Sequence, residues 1–317
     1  VLVFSLAVRL AMIRDLAAPA WVDSVHHALL GRLIQENGGY PASYAPYLQV
    51  STTGYHSGYH SLLAALSWLS GQDLAQTMLV FGQALNTLAI LGVYLLTTSF
   101  TQMPVASVLA ALIAGLMTPM PAYYTSWGRY TQLAGLVVLP AAFWLTKAWL
   151  DAARPASWRK PDRNLLRLLC MAGLAASGLL LIHYRVLAFM VGLVLVDRLV
   201  VWVQAGWQRR GRESLWKDLA GLVLLAVFSL LLTLPWWPGA LASFVVPVAT
   251  APGATRPFAD FAWSFLTTAL GKYALGLAGL GLLTSLFQRR AFAWVILLWT
   301  MILFFLANLG VFSLPGA

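Results

Sequence analysis

The sequence contains little charge and almost no cysteine. Only 9% of its 317 residues are charged, whereas 60% are hydrophobic and the mean hydropathy is +0.78. Soluble domains carry about 25% charged residues, so this chain lacks the side chains that would cover a water-exposed surface. The single cysteine, Cys170, has no partner for an intrachain disulfide. These absences exclude a soluble enzyme, a disordered chain and a disulfide scaffold.

Long apolar segments take the place of charge. Several run for 18 residues or more, long enough to cross a hydrocarbon core of about 30 Å as helices. They are continuously apolar instead of alternating, which excludes a porin-type barrel. The sequence therefore predicts an all-α fold, a polytopic membrane helix bundle. We count nine spanning helices, at 1–13, 74–100, 104–122, 130–150, 165–182, 186–203, 219–234, 272–287 and 291–309.

The net charge of +10 is concentrated in three short basic clusters between apolar segments. This pattern is typical of cytoplasmic loops under the positive-inside rule, with contacts to anionic membrane lipids, and we expect no nucleic-acid binding. With nine spans all three clusters lie on one side, as expected of a multi-pass membrane protein. We expect this membrane to be the cell (plasma) membrane. The clusters are Arg154, Arg159, Lys160, Arg163 and Arg167; Arg209, Arg210, Arg212 and Lys217; and Arg289 and Arg290.

One long segment, 14–73, is predicted to lie outside the membrane. Its apolar stretch 61–69 is too short to span, so we expect two helices along the membrane surface, at about 22–36 and 59–68. A third such helix is predicted at 258–270, whose aromatic residues suit the headgroup region. Residues 1–317 are expected to form one transmembrane domain. Because the sequence begins and ends near apolar segments, we expect further chain at both ends.

All five histidines fall on the predicted external side, as do Asp15, Asp23, Glu36, Asp73 and Asp260. This asymmetry predicts a polar site at the outer face. Asp23 and His27 are four residues apart and share a helix face, with His26 beside them. A carboxylate next to imidazoles near a helix start suits general-base chemistry. Alternatively, Asp23 caps the helix and the histidines face lipid headgroups.

A second candidate group is the stretch Tyr55-His56-Ser57-Gly58-Tyr59-His60. On a helix, His56 and His60 would be spaced to chelate zinc, although the glycines weaken the helix assumption and no cysteine or glutamate completes the ligand set. Hydrogen bonding to a lipid phosphate or a sugar is the alternative.

Two arginines are predicted at outer helix ends, where the topology rule disfavours them. Arg129 precedes Tyr130 and Gln132, and Arg185 follows His183 and Tyr184. A guanidinium presents a fork of donors that matches a phosphate, and the aromatic neighbours could stack on a sugar or a prenyl chain. Alternatively, these residues form an ordinary aromatic belt with snorkelling arginines.

The order of these features resembles the integral-membrane glycosyltransferases of the GT-C superfamily, such as protein O-mannosyltransferases, aminoarabinose transferases and oligosaccharyltransferase catalytic subunits, in particular their bacterial and archaeal branches. The family's first external loop carries an Asp, a His/Tyr-rich stretch and an Arg, matched here by Asp23, His26, His27 and Arg32. Its Tyr-Pro-Pro-type turn is matched loosely by residues 55–60, with Tyr59 and His60. The resemblance covers about residues 1–200.

The resemblance implies transfer of a sugar from a polyprenyl-phosphate-linked donor to an unidentified acceptor at the extracytoplasmic face. Asp23 would be the catalytic residue. Arg129, Tyr130, His183 and Arg185 are substrate-binding candidates by position. Many members carry a second acid in the second external loop, but 123–132 contains none. This favours inverting transfer with no required cofactor and no assigned metal ligand, although use of a divalent metal stays open.

Two alternatives stay open at this point. A transporter or flippase for an amphiphilic lipid would use the same polar cluster together with two polar residues inside predicted spans, Asp197 and Asn86. Charged residues within spans often mark such pathways. An inactive relative of the transferases would bind the lipid-linked sugar without consuming it.

Overall fold

The computed structural model describes residues 1–52, 54–154, 162–206, 209–242 and 263–308, the segment 209–213 without its side chains. Arg159, Lys160, Asp260 and the first part of the helix predicted at 258–270 lie outside these ranges, as do the side chains of Arg209, Arg210 and Arg212. The described chain is helical, with no strand and one isolated bridge between Ser43 and Ser51.

Thirteen α-helices, one π-helix and one 3-10 helix are present in the described part of the chain. The α-helices are α1 Leu2–Ile13, α2 Val22–Asn37, α3 Gly58–Ser70, α4 Leu74–Thr101, α5 Pro104–Leu112, α6 Tyr123–Ser126, α7 Tyr130–Ala153, α8 Arg163–Ala205, α9 Arg209–Leu232, α10 Trp237–Ala240, α11 Trp263–Leu270, α12 Lys272–Phe287 and α13 Ala291–Ala307. The π-helix is Ile113–Met117 and the 3-10 helix is Leu234–Trp236.

Helix ends follow the local sequence. Helix α2 ends at Gly38, which adopts the left-handed conformation that glycine favours. Helix α4 begins after Asp73, whose carboxylate accepts hydrogen bonds from the backbone N–H groups of Ala75 and Gln76. Pro104 begins α5. The predicted helices at 22–36 and 59–68 are confirmed as helices, whereas their placement along a membrane surface stays a prediction.

Helix α8 runs for 43 residues but contains a kink at His183, whose backbone is extended with φ −166° and ψ 98°. It therefore consists of two helices that correspond to the predicted spans 165–182 and 186–203. At 1.5 Å per residue, 43 residues would extend for about 64 Å, twice the thickness of a hydrocarbon core. The polar sequence His183-Tyr184-Arg185 lies at the kink, with His183 and Tyr184 half-buried and Arg185 exposed.

The length and apolar composition of the described helices indicate a membrane protein, but fewer than nine of them are long enough to count as spans. By length and composition four can cross a membrane, within Leu74–Thr101, Tyr130–Ala153, Arg163–Ala205 and Ser214–Leu232, or five if α11 and α12 count as one span bent by 93°. Three further apolar helices, at Leu2–Ile13, Pro104–Met117 and Ala291–Ala307, are shorter. The predicted count of nine is thus not confirmed, and the kind of membrane and the faces of the protein stay predictions.

The chain divides into two compact units. The first comprises Val1–Ala141, Gly178–Leu187 and Pro235–Ser243, and the second comprises Ala142–Ser177, Ala188–Leu234 and Phe244–Ala317. In the first unit α3, α4 and α7 pack around fully buried Tyr59, Leu63, Met78, Tyr130 and Leu133. Asn86 of α4 donates to the Ala122 carbonyl at 3.3 Å, the kind of helix-to-backbone bond expected inside an apolar bundle.

The second unit contains a network of buried ion pairs that includes Asp197. Arg198 is fully buried and donates to Asp151 Oδ1 at 2.7 Å and to Asp197. Lys147 Nζ lies 3.5 Å from carboxylate oxygens of both acids. The negative charge of Asp197 is therefore balanced by Arg198 and Lys147. Asp197, which was a candidate for a transport pathway, takes part in a network that connects α7 to α8.

The same network reaches α9 through Asp218, whose side chain is completely buried. Arg154 binds both oxygens of this carboxylate, and the indole Nε1 of Trp202 donates to Oδ2 at 2.8 Å. Lys217 donates to the Arg154 carbonyl at 2.5 Å. Since a buried charge without partners is very unfavourable, these bonds fix the ends of α7, α8 and α9 relative to one another.

Candidate active site

The first unit brings all five histidines into one continuous cluster. Ring centroids are 5.8 Å apart for His26 and His27, 5.1 Å for His27 and His60, 6.3 Å for His60 and His56, and 5.0 Å for His56 and His183. We call these five residues the histidine cluster. They come from α2, the loop before α3, α3 itself and the kink of α8, so the cluster is produced by tertiary packing.

The loop that carries His56 lies directly on the kink of α8. At Gly58 an added Cβ would lie 2.8 Å from Cγ1 and 3.1 Å from the backbone nitrogen of Ile182, so a side chain at this position would push the two segments apart. The indole Nε1 of Trp236 also donates to the Tyr55 carbonyl at 3.2 Å. These contacts place His56 against His183.

His27 and His60 are hydrogen-bonded to each other at the centre of the cluster. His27 Nδ1 lies 2.9 Å from His60 Nε2, and His60 Nδ1 lies 3.2 Å from the His56 carbonyl. Because a carbonyl oxygen only accepts, His60 Nδ1 carries the hydrogen, and the hydrogen-bond pattern assigns the donor role in the pair to His27 Nδ1. Burial lowers the pKa of His27 to about 3, and that of His60 falls well below its ordinary value. Both rings are therefore neutral near pH 7.

Asp23 forms an ion pair with Arg129 beside this histidine pair. Asp23 Oδ2 lies 3.0 Å from Arg129 Nη1, and 37% and 44% of the two side chains are exposed. Gly128 has φ +67°, and an added Cβ would lie 3.0 Å from the Cβ of Asp23. The turn before α7 therefore packs closely on α2 at Asp23 and carries the ion-pair partner of that carboxylate. Arg129 also stacks on Trp127, with Cζ 4.9 Å from the ring centroid.

His26 is held by an aromatic contact that the sequence did not indicate. Its Nε2 lies 3.0 Å from the hydroxyl of Tyr44, a buried residue in the irregular loop between α2 and α3. The ring of Tyr55 meets His26 edge-on at 5.4 Å. Burial lowers the pKa of His26, and the negative charge of Asp23 opposes this change. No spacing or motif marks Tyr44, since the loop lacks a regular period.

His56 and His183 lie side by side at one end of the histidine cluster. His56 is 4% exposed, and neither of its nitrogens has a hydrogen-bond partner among the described residues; the same holds for Nδ1 of His183. Tyr55 stacks on the His56 ring at 4.1 Å. Burial, with a smaller effect from His183, lowers the pKa of His56 to about 2. Arg185 is exposed and lies over Tyr184, with Cζ 5.9 Å from the ring centroid.

Three further predicted site residues are Tyr59, Tyr130 and Arg32. Tyr59 and Tyr130 are fully buried, with ring centroids 5.9 Å apart and both rings against His27. They form the core beneath the cluster, and their contact with a substrate stays a prediction. Arg32 is exposed and binds Glu36 Oε1 at 2.7 Å. It lies nine residues beyond Asp23 on α2, about 13 Å along the axis.

The hydrogen bonds of His60 argue against a zinc site formed by His56 and His60. Both nitrogens of His60 already form hydrogen bonds, to His27 and to the His56 carbonyl. Within the part of the chain that the structure describes, no three His, Cys, Asp or Glu side chains are arranged to hold a metal ion. Whether the protein uses a divalent metal with a substrate ligand stays a prediction.

Comparisons with known proteins identify a family and a similar solved structure. No curated protein matches the chain. A similar solved structure is the archaeal oligosaccharyltransferase AglB from Archaeoglobus fulgidus in complex with an inhibitory peptide and a dolichol-phosphate, at 17% identity and a TM-score of 0.48, covering 98% of this chain and 47% of that one. The chain thus spans about half the length of that structure, and a likeness of this size carries no argument about activity. The model of one family matches residues 1–313. The chain belongs to DUF6541, a family of unknown function.

Proposed function

We propose that this protein is a membrane glycosyltransferase that moves a sugar from a polyprenyl-phosphate-linked donor to an acceptor at the outer face of the membrane. One observation carries the proposal. A partly exposed carboxylate–guanidinium pair, Asp23 and Arg129, lies beside a cluster of buried, neutral histidines in a chain of membrane-spanning helices. A soluble substrate would not require such a bundle, whereas a prenyl chain is dissolved in the bilayer.

The arginines suit the phosphate of such a donor. Arg129 uses one nitrogen for Asp23, and its guanidinium is partly exposed with further N–H donors. Arg185 is exposed, follows His183 and Tyr184 at the kink of α8, and lies over the Tyr184 ring. Guanidinium groups match the geometry and charge of a phosphate. They would also stabilise the charge that develops on the leaving phosphate.

Asp23 suits the role of general base. In the proposed step the acceptor oxygen attacks the anomeric carbon, the bond from that carbon to the phosphate oxygen breaks, and its electron pair remains on the phosphate. The hydroxyl proton passes to the Asp23 carboxylate. Such a single displacement inverts the anomeric configuration. Arg129 would orient the carboxylate, and the neutral histidines would provide a polar but uncharged wall.

The proposal is tested with the full-length protein in detergent and a panel of polyprenyl-phosphate monosaccharides. The assay measures release of free polyprenyl phosphate, with and without a chelator. We expect one donor to be consumed and Asp23→Asn to reduce the rate by at least about 100-fold, because general-base catalysis contributes roughly 10²–10⁴-fold. Donor binding should be retained in this variant.

A matched control is Asp15→Asn. Asp15 is also paired with an arginine, Arg14, at 3.2 Å, but it is 82% exposed and outside the histidine cluster. This variant should keep full activity. Full activity of Asp23→Asn would contradict the assigned role. Saturable donor binding without consumption would favour the binding-only relative, and movement of the donor between leaflets without hydrolysis would favour a flippase.

A further inference from the structure

The pair formed by His56 and His183 offers hydrogen-bonding groups that no other described residue uses. His56 is buried, yet both of its ring nitrogens lack a partner among the described residues, as does Nδ1 of His183. The two ring centroids are 5.0 Å apart. Leaving such groups unsatisfied is costly in a folded protein, so their presence together indicates that another molecule completes the site.

The orientation of His56 is fixed by its surroundings. Its carbonyl accepts from His60, which is in turn bound to His27. Its ring is stacked on Tyr55 and meets Tyr184 edge-on at 5.8 Å. His183 is less buried than His56 and is followed by exposed Arg185, so we expect the missing partner to approach from the side of His183. Besides burial, the positive charge of Arg185 also lowers the pKa of His56, which places these nitrogens within electrostatic range of a guanidinium proposed to bind the donor phosphate.

The chemistry of neutral imidazole defines the group that fits. Each neutral ring offers one N–H donor and one lone pair. A hydroxyl group can both donate and accept, and so satisfies either nitrogen. A carboxylate only accepts, so it can meet the N–H of a ring but leaves the lone pair without a donor. An ammonium group only donates, so it can meet the lone pair but leaves the N–H without an acceptor. Burial keeps His56 in the neutral form, with its pKa lowered to about 2.

We infer that His56 and His183 recognise the hydroxyl groups of an uncharged sugar on the donor, and thereby exclude sugars that carry an amino or a carboxylate group. This inference rests on the proposed function, since it assigns the sugar-binding part of the same site. His56 and His183 would act as specificity-determining residues, separate from the arginines that bind the phosphate and from Asp23.

The test measures binding of four lipids to the full-length protein in nanodiscs. They are polyprenyl phosphate, and polyprenyl-phosphate glucose, glucuronate and 4-amino-4-deoxyarabinose. We expect the glucose donor to bind at least about tenfold more tightly than the lipid without sugar, because burial of one unsatisfied polar group costs roughly 1–3 kcal/mol, or about 5–150-fold. The two lipids that carry a charged sugar should bind no more tightly than polyprenyl phosphate.

Variants separate recognition of the sugar from recognition of the phosphate. His56→Phe should abolish the gain from glucose, measured as the ratio of the affinities of this variant for polyprenyl-phosphate glucose and for polyprenyl phosphate. His56→Gln should keep part of the gain, since an amide both donates and accepts. Arg185→Gln should lower the affinity for all four lipids by a similar factor. The comparison of lipids in the unaltered protein needs no variant, so poor folding of His56→Phe would not prevent the test.

The outcomes distinguish this inference from the proposed function. Equal affinity for all three sugar lipids, as expected if only water fills the site, overturns the inference and leaves a polyprenyl-phosphate enzyme standing. A glucose gain that persists in His56→Phe overturns it as well. Failure of polyprenyl phosphate and of every sugar lipid to bind overturns the proposed function together with the inference.

Discussion

The buried histidine pair predicts that the protein loses stability in mild acid. His27 is 4% exposed and is bonded to His60, and its pKa in the folded protein is about 3 compared with an ordinary value of 6.5. Between these two pH values the unfolded chain binds a proton at this position and the folded chain does not. Stability therefore rises with pH across this window. The contribution of His27 is fully present above about pH 6.5 and is lost as the pH falls towards 3.

The magnitude follows from the difference in pKa. Each pKa unit corresponds to 1.36 kcal/mol, so the whole window is worth roughly 5 kcal/mol for His27. Lowering the pH from 7 to 4.5 covers about two units below the unfolded pKa and should reduce the free energy of unfolding by about 2.5 kcal/mol. Other groups titrate as well, so the informative quantity is the difference between the unaltered protein and a variant that lacks this imidazole.

The variant His27→Asn isolates this contribution. Its amide N–H can still donate to His60 but does not titrate. Unfolding of the full-length protein in detergent, followed by temperature or denaturant at pH 7 and pH 4.5, should show a smaller acid-induced loss in His27→Asn by about 2 kcal/mol. His26→Asn is the control, since His26 is only half-buried and should leave most of the acid sensitivity in place. Equal losses in His27→Asn and the unaltered protein would refute this account of the buried pair.

Two further predictions concern packing. Asp218→Asn removes a fully buried carboxylate that neutralises Arg154, and it should lower the free energy of unfolding by about 3 kcal/mol. Denaturant unfolding at pH 7 measures this loss. An unchanged midpoint would show that water already compensates this pair. Gly58→Ala should displace the loop from Ile182 and destabilise by about 1–3 kcal/mol, with a parallel loss of donor binding. Gly39→Ala, where an added Cβ contacts nothing, is its control and should behave like the unaltered protein.

The local sequence was sufficient for many of the elements. The helix predicted at 22–36 corresponds to α2, which ends at Gly38, and the span predicted to begin at 104 begins with α5 at Pro104. Both depend on backbone preferences of single residues. Composition also predicted an all-helical membrane protein. The number of spans was less well determined, because a helix such as Ala291–Ala307 is apolar but shorter than the length that establishes a span by itself.

Prediction of the site was less complete. The i, i+4 spacing on α2 correctly placed Asp23 and His27 on one helix, and the positions of the histidines along the chain suggested that they share a region. The partner of Asp23 could not be predicted, because nothing in the Trp-Gly-Arg turn specifies which distant helix it will contact. The same applies to Tyr44, and to the buried positions of Tyr59 and Tyr130, whose type is common both in aromatic belts and in cores.

The sequence alone therefore determined the class of protein and its helical segments, since apolar length, charge distribution and helix-ending residues act over a few neighbouring positions. Only the tertiary structure decided that His27 meets His60, 33 residues away, and that Arg129 meets Asp23. It also decided that His56 lies against His183, with ring nitrogens that no described residue satisfies. These contacts depend on how helix surfaces fit together, through features such as the close approach at Gly58 and the kink in α8. A local pattern records which side chains are available, whereas packing selects the partners that each one finds.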